Sequence, residues 1–98
     1  MKLEWKKYSF GGQKETRLVL IDDDDVRRAI AIIVEYQKDK SEPKSFYVYC
    51  TLHFGEMEGP FDSFKSFEEA KSAALQFAKK EAIKTMKELT YIINFIDE

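Results

Sequence analysis

The stretch Ser66–Lys87, S-F-E-E-A-K-S-A-A-L-Q-F-A-K-K-E-A-I-K-T-M-K, restricts the fold more than any other part of the chain. Ser66 followed three residues on by Glu69 is a capping box, in which each side chain satisfies a free backbone N–H of the other residue. Glu68 and Glu69 set negative charge at the positive pole of the helix dipole. Ala70, Ala74, Phe77, Ala78, Ala82, Met86 and Leu89 then recur at steps of three and four, which makes one apolar stripe on a helix. Lys71, Lys79, Lys80, Lys84 and Lys87 lie mostly off it. A stripe built largely of alanine lets a helix sit close against a sheet, with Phe77 and Met86 as larger plugs. The residues before the helix must therefore supply a sheet with one apolar face.

Beyond Lys87 the sequence reads two ways. Leu89, Ile93 and Ile96 continue the stripe and favour a longer helix, whereas the β-branched and aromatic residues of Thr90–Ile96 suit a strand. The helix is preferred and the strand remains open.

Upstream, Leu3 and Trp5 alternate with Lys2, Glu4 and Lys6, as in a half-buried strand. Gly11-Gly12 signals a turn, and Thr16 to Ile21 is the returning strand of a hairpin. Asp22–Asp25 is a run of four carboxylates. It lacks the alternate acids, central Gly and distant Glu of a calcium loop, so a plain acidic turn is expected. Residues 26–38 fit either a strand or an Asp25-capped helix, and the density of Ile and Val favours the strand. In that strand Ile30, Ile32, Val34 and Tyr36 share one face, and Ala29, Ala31, Ile33 and Glu35 the other. Lys38 to Lys44 is a polar loop. In Ser45 to Phe54, Phe46, Val48, Cys50, Leu52 and Phe54 alternate with Tyr47, Tyr49, Thr51 and His53. The segment before the helix, punctuated by Gly55, Gly59 and Pro60, holds at most a short strand near Phe61. The expectation is a single α+β domain over residues 1–98, an antiparallel sheet of about four strands with one long C-terminal helix packed on one face.

Composition narrows the chemistry. The hydrophobic fraction of 44% and aromatic fraction of 14% suit a packed core. No apolar run approaches the roughly 18 residues of a membrane span, and the N-terminus lacks the apolar core of a signal peptide. A cytoplasmic location without membrane attachment is expected. Net charge is -2, which weakens a nucleic-acid reading, since such domains usually carry a basic footprint. His53 is the only histidine and Cys50 the only cysteine. Neither stands in a nucleophile–base or metal-ligand motif, and no glycine-rich phosphate loop is present. No cofactor, metal or catalytic residue is expected.

The feature left unexplained is the strand face of Tyr47, Tyr49, Thr51 and His53. The opposite face carries the continuous apolar set and is where the helix packs. Two tyrosines beside Ala29, Ala31 and Ile33 make an open face more apolar than a solvated one needs to be, and such patches mark contact sites. The order of about four antiparallel strands and one long helix is similar to single units of Whirly-type and PUR-type single-stranded nucleic-acid binders. The similarity covers element order and matches no motif residue by residue. The expected function is a non-enzymatic module working by protein contact, as a homodimer through the aromatic sheet face or the C-terminal segment. The alternatives are a single-strand binder using Tyr47, Tyr49 and His53, and an enzyme without a recognisable motif.

Overall fold

The computed structural model describes residues 1–51 and 55–98. Five strands precede one helix: β1 (Lys2–Phe10), β2 (Gln13–Ile21), β3 (Arg27–Tyr36), β4 (Ser45–Thr51), β5 (Met57–Phe64) and α1 (Phe67–Ile96). Each strand pairs antiparallel with the next, so the sheet order is β1-β2-β3-β4-β5. The fold is α+β, with five strands where about four were expected. The additional strand is β5, a full edge strand where the sequence suggested a short one. Gly59 and Pro60 mask it in sequence, but an edge strand tolerates Pro because one side of its backbone need not donate.

Local chemistry sets the connections. Gly11 and Gly12 both have positive φ, 52° and 88°, as a two-residue hairpin turn matching the strand twist requires. Residues 27–36 are a strand, not a helix, and β3 lies at the centre of the sheet, paired on both edges, where β-branched side chains are favoured. A bulge between Leu18 and Val19 inserts Ile30 without a partner and breaks the simple alternation of β3. Ile30, Ala31 and Ile33 are therefore all buried in the core beneath the helix. Ile32 and Val34 pair with Tyr49 and Tyr47. This corrects the expectation that Ala31 and Ile33 flank the tyrosines. The bulge shifts the phase of the strand, which even alternation cannot anticipate.

The helix begins as its cap predicts, with Ser66 Oγ accepting from the Glu69 N–H at 3.2 Å. It runs unbroken through Ile96, so the strand option for 90–96 falls away. Ala70, Ala74 and Ala78 are its buried residues. They join Leu18, Ile33, Phe46, Val48 and Cys50 in one core, edged by Phe64, Phe67 and Phe77. α1 lies over β3 and β4 and touches β5. The β1–β2 hairpin extends past the helix, bridged by Lys71 Nζ at 5.5 Å over the Trp5 ring.

At 1.5 Å per residue the helix is about 45 Å long, well beyond the sheet it crosses. The molecule measures 62 × 27 × 19 Å, with a radius of gyration of 15.9 Å. A compact domain of this length has about 13 Å. The difference is the C-terminal half of α1, which projects into solvent.

Candidate interaction surface

Two surfaces compete for the role of contact site: the sheet face opposite the helix and the projecting helix end. On the sheet face, cross-strand pairing aligns Tyr8, Glu15, Val34, Tyr47 and Ser63 in one row and Lys6, Arg17, Ile32 and Tyr49 in the next. Tyr47 is half-buried, edge-on to Tyr36 with ring centroids 6.1 Å apart. Tyr49 is half-buried against the backbone of Gly59, where a Cβ would stand 3.0 Å from the tyrosine ring. Gly59 has φ 138°, so it meets both the close approach and a backbone conformation that other residues rarely adopt. Thr51 does not reach the surface: it is 3% exposed, and its Oγ1 donates to the Ile30 carbonyl at 3.4 Å. His53 lies outside the described residues, as do Leu52 and Phe54.

Sequence reading missed the aromatic–cationic cluster at the hairpin end of this face. Arg17 lies over the rings of Tyr8 and Phe10, at 4.6 and 5.6 Å from their centroids. The alternation of Lys2, Glu4 and Lys6, carried two steps further, would have found both rings. Glu15 holds the Arg17 guanidinium through Nε at 3.0 Å and a second nitrogen at 2.7 Å, which neutralises its charge locally. Beyond it, Val19 and Ile21 are only 4% exposed, with Glu4 and Lys2 as their cross-strand neighbours. Among the described residues of this face, Phe10 and Tyr36 stay 53% and 52% exposed.

The other chemically suggestive groups have structural roles. Asp22 Oδ1 accepts from the N–H groups of Asp24 and Val26 at 2.9 and 3.0 Å, an Asx-type turn that links β2 to β3. Asp23 pairs with the N-terminal ammonium at 2.6 Å. No group of metal-ligating side chains gathers among the described residues. Cys50 is buried in the core, and burial pushes its thiol above the usual range. A cleft of about 440 Å3 between the hairpin and the helix start mixes Lys7, Lys14, Glu15 and Glu35. Glu35 there is paired with Lys44 at 3.4 Å.

The helix end is different in kind. Every residue from Met86 to Glu98 is exposed. Ile83, Met86, Leu89, Tyr91, Ile92, Ile93, Phe95 and Ile96 are each 40–73% exposed. Leu89 to Ile96 is apolar around its whole circumference apart from Thr90 and Asn94. The helix also ends on Asp97 and Glu98, with no basic residue in its last turn. Both carboxylates thus sit at the negative pole of the dipole, an unfavourable placement in isolation. Among the described residues no helix is long and apolar enough to cross a membrane. A hollow of about 460 Å3 lies where α1 leaves the β1–β2 hairpin uncovered. Leu3, Leu18, Leu20 and Ile30 line its sheet side, and Leu75, Ala78, Lys79 and Ala82 its helix side.

Comparison with protein-family models, curated proteins and solved structures finds no match to this chain.

Proposed function

We propose that this chain is a small interaction module that associates with itself through the C-terminal half of α1. The observation carrying the reading is the exposed, nearly all-apolar helix end from Leu89 to Ile96. A helix apolar all round is ordinarily buried. Ala82, Met86, Leu89, Ile93 and Ile96 follow alternating steps of four and three, the spacing of a seam between two helices. A large side chain carries roughly 200 Å2 of surface. The exposed side chains from Ile83 to Ile96 thus leave on the order of 900 Å2 in water, while a stable interface needs about 800 Å2 per partner.

The single-strand reading has weaker support. Stacking platforms need a free cationic groove beside the rings, and here Glu15 occupies Arg17 on a chain of net charge -2. The test is light scattering on the parent and on Leu89→Glu with Ile93→Glu. Both positions are exposed, so the fold should persist. The parent should run at twice the chain mass of 11.5 kDa and the variant as a monomer with unchanged helical circular dichroism. A variant that associates as the parent does would sink the proposal.

A further inference from the structure

We infer, resting on self-association through α1, that two copies pair antiparallel and that the helix tip of each seats in the hollow between α1 and the β1–β2 hairpin of the other. Three observations meet in this arrangement. The stripe Ala82, Met86, Leu89, Ile93, Ile96 begins at the hollow, since Leu75, Ala78 and Ala82 are its helix wall. In an antiparallel pair centred between Met86 and Leu89, each Met86 stands level with the other copy's Leu89, and each Ala82 with the other's Ile93. Ile96 of the second copy then arrives level with Lys79, at the mouth of the hollow. Small opposes large, as packing of facing layers prefers.

The apolar circumference of the tip follows from the same geometry. Ile92 lies two heptads on from Ala78, and Phe95 three heptads on from Ala74, so both continue the side of α1 that faces the sheet. In the pair, that side of the tip faces the β1–β2 hairpin of the other copy, where Leu3 is 53% exposed. Leu89, Ile93 and Ile96 meet its helix. A tip clasped on two sides needs apolar residues on two sides, whereas the shaft from Lys79 to Glu88 keeps polar residues on its outer face.

Charge selects the direction. Antiparallel pairing brings Asp97 of one copy within a turn of Lys79 of the other, at the edge of the seam. It supplies a cation that the last turn lacks. Parallel pairing in register would set Lys79 against its own copy at the seam, and like charges repel.

The experiment uses the full chain with single cysteines added at Ala82→Cys and at Ile93→Cys, prepared separately and then mixed under mild oxidation. Native Cys50 is buried and stays out of the reaction. The antiparallel pair predicts a disulfide between the two variants in the mixture and little within either alone. In parallel, Leu3→Glu should weaken dimerisation of the parent at least tenfold by sedimentation equilibrium, although Leu3 is far in sequence from the tip. Homodisulfides in each variant alone, or an unaffected Leu3→Glu dimer, would overturn the arrangement while leaving self-association standing. A parent that stays monomeric, or that remains monomeric and co-sediments with anionic lipid vesicles, would remove self-association and the arrangement together.

Discussion

Replacing Ala74 with Glu, and separately its neighbour Leu75 with Glu, tests which side of α1 the sheet occupies. Ala74 is 0% exposed and shares a core with Ile33, Val48 and Cys50, while Leu75 is 43% exposed. One step along the helix turns the side chain by about 100°, from the sheet to the flank. At position 74 the carboxylate enters a core without a cation. An uncompensated buried charge costs about 3–5 kcal/mol, and overpacking adds about 1–3 kcal/mol. A domain of this size has about 5–15 kcal/mol in total, so much of the stability goes. At about 4–8 °C per kcal/mol, Tm should fall by more than about 15 °C. At position 75, on the open wall of the hollow, the change should cost only about 1 kcal/mol. Both variants are best placed on the Leu89→Glu background, so that loss of association does not enter the comparison. Far-UV circular dichroism melts at one protein concentration read the result. Equal losses at 74 and 75, or none at 74, would refute the packing of α1 through its alanine stripe.

Ser66→Ala removes the acceptor for the Glu69 N–H and should cost about 1 kcal/mol, read from urea unfolding with an unchanged m-value. Asp22→Ala should cost a similar amount, about 1 kcal/mol, because it frees the N–H groups of Asp24 and Val26; Asp24→Asn should leave Tm within a few degrees. Burial raises the Cys50 thiol, so the folded chain favours the protonated form. That contribution is whole below the unfolded thiol value, about 8.5, and is lost as pH rises through the folded one. Stability should therefore decline on the alkaline side, and Cys50→Ser should flatten that decline. Native Cys50 should also react with a thiol reagent many times more slowly than the denatured chain, and equal rates would count against its burial.

Much of the fold was legible because local signals agreed with one another. Ser66 with Glu69 marked the helix start, Gly11-Gly12 the first turn, and the alternation of Phe46, Val48 and Cys50 the face that meets the helix. What escaped was set by non-local pairing. Ile30 sits in a bulge that forms only against Leu18 and Val19, so β3 does not alternate as its sequence suggests. β5 owes its length to pairing with β4 and hides it behind Gly59 and Pro60. At the candidate surface, Tyr47 and Tyr49 do face away from the helix, yet Tyr36 and Gly59 cover part of each. The apolar character of residues 89–96 was visible in the sequence. That it lies beyond the sheet depends on where the helix crosses, which periodicity does not encode.

The claim that the outer half of α1 is a contact surface is tested most directly by amide hydrogen exchange, resolved by residue and repeated across protein concentration. Amides from Met86 to Ile96 should exchange quickly in dilute solution, because an unsupported helix end frays. Their protection should rise with concentration and stay low at every concentration in Leu89→Glu. Protection of Met86 to Ile96 that ignores concentration, or a concentration-dependent change confined to the strands carrying Tyr47 and Tyr49, would contradict it.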